Sequence, residues 1–394
     1  MKAAACRKRF EEIGRAKYKV VIAGGGTAGH VYPALAVADA LSTLGVSRES
    51  ILFIGSKHGQ EAQLVRESGY EIYCLAAKGI VRKVNFKAAW AVVLISASIV
   101  RSITLILKHK PRITISVGGY ASIPGAIASL LCRVPVVVVN VDAAPGAANR
   151  LLARFAKFSF TSFGGEGLPR QIVVGTPIRN EILNSATIRK AMDDKTISQA
   201  RETLSLEKDK PIVVIFGGSL GAKTLNDAAP NVAKALLERG INATVVHLAG
   251  KRGFSELSGA NVELSNYVVR EFEKRMNLLL EVAALVVSRS GALTVSEIAV
   301  MGVPSILVPL PNAPRDHQRR NAEKLQMVGG AIIMNNSEVQ EGKLSELVIS
   351  LLNDPKRLIK MSESLDSLMP RNGAEKIASS VLSVIGVELV GAEK

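Results

Sequence analysis

The sequence predicts an α/β fold of two successive Rossmann-like domains, each a doubly wound parallel sheet. Three observations carry this. Short Val/Ile-rich runs repeatedly end in glycine turns that open helices, as buried parallel strands do. One such opening, from Val20 to Leu41, recurs from Pro211 onward. The 394 residues suit two domains, and 48% hydrophobic content with only 4% aromatic residues favours cores of small and branched side chains.

The chain begins with Lys2, Arg7, Lys8, Arg9, Arg15 and Lys17 against Glu11 and Glu12. No apolar core follows them, so residues 1–17 read as a solvated basic extension and not as a secretion signal. Lys19 to Ala23 is the first strand, and Gly24-Gly-Gly-Thr-Ala-Gly-His30-Val-Tyr-Pro33 leads into a helix whose first turn Pro33 suits. The turn contains G-x-G-x-x-G (Gly24, Gly26, Gly29), but a dinucleotide site also needs an acid ending the second strand, roughly 20 residues on. That strand, Ile51 to Ile54, ends in Gly55-Ser56-Lys57, and Glu49 precedes it at the wrong end. The dehydrogenase reading is therefore rejected. Gly59-Gln60-Glu61 opens the next helix.

From Ile72 to Val141 there is no acidic residue, while Lys78, Arg82, Lys83, Lys87, Arg101, Lys108, Lys110, Arg112 and Arg133 fall inside. Ile80, Val84, Phe86 and Trp90 stand among Arg82, Lys83 and Lys87, apolar side chains ringed by cations that suit an anionic bilayer surface. The longest uncharged apolar run, Ala88 to Val100, is shorter than the roughly 18 residues that spanning needs. Ile113 to Val117 is a strand ending in Gly118-Gly119-Tyr120. Val134 to Val139 is another, ending in Asn140-Val-Asp142. Val173 to Arg179 reads as a strand leading into a linker, and the charged helical segment to Lys210 as a hinge.

Pro211 to Phe216 then repeats the strand opening, with Gly217-Gly218-Ser219-Leu220-Gly221-Ala222 as its turn. Ala222 stands where a phosphate-binding P-loop requires glycine, and no strand supplies a magnesium-binding Asp, which excludes an ATPase. Leu285 to Val287 is a strand ending in Ser288-Arg289-Ser290-Gly291, with a helix from about Ala292. Backbone N–H groups at its start make an anion site beside Ser290 to Leu293, and Glu297 can accept both hydroxyls of a ribose. A further strand, Ser305 to Val308, delivers Asp316, His317, Gln318 and Asn321 on a Pro-rich loop suited to sugar hydroxyls. Together these imply a nucleotide-sugar donor site.

The net charge of +16 comes without the aromatic interleaving, zinc or helix-turn-helix signatures of nucleic-acid binders. An anionic membrane surface or a diphosphate substrate accounts for it better. Cys6, Cys74 and Cys132 form no disulfide framework and the five histidines no zinc pattern, so a reducing cytosol and no metal site are expected.

The blocks G-G-T-A-G-H-V-Y-P (25–33), G-G-Y-A-S-I-P (118–124), V-G-T-P-I-R (174–179), G-G-S-L-G-A (217–222), S-R-S-G-A-L-T-V-S-E (288–297) and D-H-Q-R-R-N-A (316–322) resemble the MurG family in order and spacing. The resemblance implies a GT-B fold, with the two domains facing across a cleft, and a peripheral enzyme on the cytoplasmic face of the membrane. It implies inverting, metal-independent transfer of N-acetylglucosamine from UDP-GlcNAc to a lipid-linked muramyl-pentapeptide diphosphate. The expected domains are 18–177 on the acceptor and membrane side and 178–368 on the donor side, with 369–394 a helix returning to the first. By position, Ser219, Ser290, Gly291, Ala292 and Leu293 would hold the diphosphate, Glu297 the ribose, and His317 and Gln318 the sugar, with Arg179 near the nucleotide. Thr27, Gly29, His30 and Tyr120 would surround the acceptor diphosphate. Val139-Asn140-Val141-Asp142 departs from the family's H-E-Q-N on the acceptor side, and Leu220 replaces a common Gln. Two groups remain candidates for the general base, His30 and Asp142. A different lipid acceptor and a non-catalytic membrane scaffold are the competing readings.

Overall fold

The structure, a computed structural model, describes residues 19–57, 61–76, 86–165, 167–191, 193–218, 221–258 and 264–387, the side chains of 86–92 excepted. The chain divides into two compact units, Met1–Arg179 with Pro370–Lys394, and Asn180–Met369.

In the first unit the elements alternate: β1 (Val20–Ala23), α1 (Ala28–Thr43), β2 (Ile51–Ser56), α2 (Glu61–Glu67), β3 (Glu71–Leu75), α3 (Phe86–His109), β4 (Ile113–Ser116), α4 (Ser122–Leu131), β5 (Val136–Asn140), α5 (Ala147–Ala153), β6 (Ser159–Thr161) and β7 (Gln171–Val173). The strands form one parallel sheet in the order 3-2-1-4-5-6-7, with Val20 opposite Ile51 on one side and Ile113 on the other. β1, β2, β4 and β5 are buried along their whole length, because crossover helices cover both faces of a parallel sheet. Three details differ from the expectations above. β7 ends at Val173, where a strand was expected to begin. β2 runs on through Gly55 and Ser56, since the edge strand β3 pairs with both. α1 begins at Ala28, so Pro33 lies inside the helix and not in its first turn. It therefore cannot donate to the Gly29 carbonyl, and a glycine at that point leaves room for its ring.

The second unit repeats the plan with α6 (Asn180–Ala191), α7 (Asp194–Thr203), β8 (Ile212–Phe216), α8 (Lys223–Glu238), β9 (Thr244–Leu248), α9 (Gly250–Ser258), β10 (Tyr267–Arg270), α10 (Met276–Val282), β11 (Leu285–Ser288), α11 (Ala292–Met301), β12 (Ser305–Leu307), α12 (His317–Met327), β13 (Ala331–Ile333), α13 (Asn336–Gln340), α14 (Lys343–Leu352) and α15 (Pro355–Ser364). Its sheet is parallel in the order 10-9-8-11-12-13, which is the Rossmann order. The charged segment read as a hinge is a docked helix pair: Ile182, Ala186 and Ala200 are buried, and Arg189 donates to the Glu281 carbonyl at 2.7 Å.

The chain returns to the first unit as α16 (Gly373–Val384), which packs on α1 and buries Ile377, Val381 and Leu382 completely. The outgoing and returning strands of chain touch: a Cβ on Gly175, at φ +86°, would lie 2.3 Å from the Pro370 carbonyl oxygen. Each sheet reverses its winding once, between β1 and β4 and between β8 and β11. Ligands of open α/β sheets bind at the strand C-termini beside such points.

Candidate functional site

At the first reversal two glycine turns meet. The turn after β1 packs so closely on the turn after β4 that a Cβ on Gly119, at φ +73°, would stand 2.6 Å from the Gly25 carbonyl oxygen. His30 lies between them, with its Cδ2 3.3 Å from where a Gly118 Cβ would be. Its Nδ1 is 3.1 Å from Thr27 Oγ1. Thr27 is the residue before α1, yet its side chain turns to His30 and does not cap the helix. The first-turn N–H groups of α1 are thereby left without a capping side chain, an arrangement that favours an anion. Tyr120 borders the same turn, 3.2 Å from a Cβ placed on Gly26. Thr27, Gly29, His30 and Tyr120, expected together from sequence, are brought together here.

Asp142 follows β5 on the same edge, and its loop is held internally. Asn140 Nδ2 donates to the Asp142 carbonyl at 2.6 Å, while buried Asn149 donates to Asn140 Oδ1 at 3.0 Å. Arg179 belongs to the first unit, where its guanidinium stacks 4.1 Å above the Tyr32 ring.

At the second reversal β11 ends in Ser288, and Gly291 precedes α11. Glycine has no side chain to cap with, so the N–H groups of Ala292 and Leu293 receive no cap from the residue before the helix. Ser290 is completely buried beside them, and its Oγ has no hydrogen-bond partner among the described residues. A buried hydroxyl at an uncapped helix start is suited to a phosphate oxygen. Glu297 follows on α11 and is 8% exposed.

The loop after β12 folds back over this helix start. Asn312, Arg315 and Asp316 have φ of 59°, 59° and 53°, a left-handed region that costs non-glycine residues roughly 1–2 kcal/mol each. Its hydrogen bonds hold it there. Gln318 Oε1 accepts from the Leu310 N–H at 2.9 Å, and His317 Nδ1 donates to the Pro314 carbonyl at 2.9 Å. Asn321, expected to face a sugar, is instead fully buried and donates to the Ser290 carbonyl at 3.1 Å. It braces the phosphate turn from behind. Arg289, which the sequence reading passed over, donates to the Val308 and Pro309 carbonyls at 3.1 and 3.2 Å and to Asn336 at 3.0 Å. Its guanidinium ties the ends of β11 and β12 together, and burial lowers its pKa.

A further polar chain supports the glycine turn after β8. His247 Nε2 donates to Asn226 Oδ1 at 3.1 Å, Asn226 Nδ2 donates to the Ala249 carbonyl at 3.0 Å, and Tyr267 OH lies 2.7 Å from His247 Nδ1. Burial pushes the His247 pKa down to about 4, so the ring is neutral and Nδ1 accepts from the tyrosine. Sequence gives one signal for this chain, a histidine inside an otherwise apolar strand.

Ser219 and Leu220 lie outside the described residues, as do Ile80, Arg82, Lys83 and Val84. Phe86, Lys87 and Trp90 fall within α3, with side chains outside the description. Among the described residues no helix is long and apolar enough to cross a membrane.

Comparison with known proteins adds the following. Residues 20–161 match the Glycosyltransferase family 28 N-terminal domain and residues 212–380 the Glycosyltransferase family 28 C-terminal domain. A Clavibacter sepedonicus protein is 36% identical, over 93% of this chain and 96% of its own. A Carboxydothermus hydrogenoformans protein is 32% identical, over 91% and 95%. Both are named UDP-N-acetylglucosamine--N-acetylmuramyl-(pentapeptide) pyrophosphoryl-undecaprenol N-acetylglucosamine transferase. The crystal structure of Acinetobacter baumannii MurG superposes with a TM-score of 0.71 at 29% identity, covering 92% of this chain and 98% of that one.

Proposed function

The chain belongs to glycosyltransferase family 28, and we propose that it transfers N-acetylglucosamine from its UDP donor to the lipid-linked muramyl-pentapeptide diphosphate. The observation that carries the donor half is the start of α11: uncapped N–H groups, the buried Ser290 hydroxyl and Glu297 on one short segment. The N–H groups take the diphosphate and stabilise charge on the departing UDP, which a preformed array does without reorganising. Glu297 takes the ribose hydroxyls. His317 and Gln318, which open α12, border the sugar, and their hydrogen bonds shape the loop before it.

The acceptor diphosphate rests against Thr27, Gly29 and Tyr120, and His30 takes the proton from its attacking hydroxyl. The Thr27 hydroxyl orients the imidazole for this. Because the acceptor carries a polyprenyl chain, the enzyme works at the cytoplasmic face of the membrane. The basic and apolar residues around Phe86 and Trp90 rest on its anionic surface.

The test is transfer of radiolabelled N-acetylglucosamine from UDP-GlcNAc to the purified lipid-linked muramyl-pentapeptide. Labelled disaccharide-lipid is the expected product. UDP release on another polyprenyl-diphosphate sugar, with none on this acceptor, would favour the second reading, a related transferase. The stretch Val139–Asp142 motivates that reading, since it departs from the family at the acceptor side. Donor binding without turnover of any acceptor would leave only a scaffold.

A further inference from the structure

The first unit has a G-x-G-x-x-G turn, and the acid missing from the end of its second strand is present after all. We infer that Glu61 is a positioning residue: it holds the turn from Gly24 to His30 in its acceptor-binding shape and fills the corner where a dinucleotide-binding unit takes a ribose. Glu61 opens α2 and is 1% exposed. One carboxylate oxygen accepts from the Gly26 N–H at 3.0 Å and the other from the Ser56 N–H at 2.7 Å. It thus ties the turn after β1 to the last residue of β2.

The glycines on either side make space for it. A Cβ on Gly25 would stand 2.6 Å from the Glu61 Cδ, and one on Gly55 would stand 2.7 Å from its Cγ. In a nucleotide-binding unit an acid at this strand end accepts the ribose hydroxyls. Here each oxygen is already bound to a backbone N–H, and a ribose would meet a filled corner. The second unit differs at the matching place. The stretch after β9 reads Ala249-Gly250-Lys251-Arg252-Gly253, with neutral Asn226 against Gly253 and no carboxylate. The same strand–turn–helix plan therefore carries a buried carboxylate at this corner in one unit and a neutral amide in the other. With Gly26 N–H taken by Glu61, an anion at the first turn is met by the N–H groups that begin α1, next to Thr27 and His30.

This rests on the acceptor reading above, and the test separates the two. In the full-length enzyme, Glu61→Ala and Glu61→Gln are compared with wild type and with Glu67→Gln, an exposed carboxylate at the far end of the same helix. Three quantities are measured: amide exchange over residues 24–30, UDP affinity, and the acceptor KM at saturating donor. Both Glu61 variants are expected to expose the Gly26 amide to exchange. They should raise the acceptor KM by roughly ten-fold or more, as for a buried N–H left without its partner, and leave UDP affinity unchanged. Glutamine does not rescue, because its amide sets one acceptor and one N–H against two N–H donors. Glu67→Gln behaves as wild type. Gly55→Ala, which displaces the carboxylate without removing it, gives the same signature and carries the test if the Glu61 variants fail to fold. An unchanged Gly26 exchange rate and acceptor KM overturns the inference, and so does an equal loss of UDP affinity. A wild-type enzyme inactive on the lipid acceptor overturns the functional reading alone, while exchange at Gly26 still decides the role of Glu61.

Discussion

On the reading proposed above, two side chains decide the chemistry. Glu297 would give the donor ribose a charged acceptor, and hydrogen bonds to charged groups contribute about 1.5–3 kcal/mol. Glu297→Ala should weaken UDP binding by that amount, roughly 10- to 150-fold, in an isothermal titration. Unchanged affinity would remove it from the donor site. As the proposed base, His30 would act later, in the transition state. His30→Ala should lower kcat by ~10²–10⁴-fold with UDP affinity intact. A loss confined to the acceptor KM would make it a diphosphate ligand, and Asp142→Asn as the more damaging change would move the base to the loop after β5.

Strand ends need support from the elements around them, and the second unit shows how that support responds to pH. The chain from Tyr267 on β10 through His247 on β9 to Asn226 on α8 requires a neutral imidazole. The His247 pKa falls from 6.5 to about 4 on folding. Between those values the unfolded chain binds a proton that the native protein does not, so stability is full above pH ~6.5 and declines toward pH 4. The linked loss is roughly 3 kcal/mol across that window. Urea unfolding at pH 7 and pH 4.5 should show a steeper fall for wild type than for His247→Gln. Equal slopes would mean that the ring is solvated or paired differently.

For the whole molecule, the first unit is completed by the last segment of the chain. Ile377, Val381 and Leu382 on α16 are fully buried, and each contributes about 1.5–3 kcal/mol. Ending the chain at Met369 should therefore destabilise the first unit by on the order of 5 kcal/mol and leave the second folded. Amide exchange along the fully buried strand β1 reports unfolding of the first unit. UDP at 100 times its Kd should still protect the truncated chain's second unit by about 2.7 kcal/mol. Loss of UDP binding on truncation would show that the two units depend on each other for stability.

Strand positions, the glycine turns and the helices after them were legible from residue order alone, because apolar runs and turn chemistry act over a few neighbours. The turn before α11 was legible for the same reason, since Ser290, Gly291 and Glu297 lie within eight residues. What needed the tertiary structure was the partner of each polar side chain. Asn321 has the composition of a sugar ligand, yet it braces Ser290 from a buried position 31 residues away. Glu61 looked like a helix start and lies 35 residues from the glycine whose N–H it accepts. Pro33 fitted a first turn until the turn before it was seen to start the helix at Ala28. Each of these depends on which strand ends the sheet order sets side by side. Spacing along the chain does not encode that order, whereas burial makes every polar group find a partner within it.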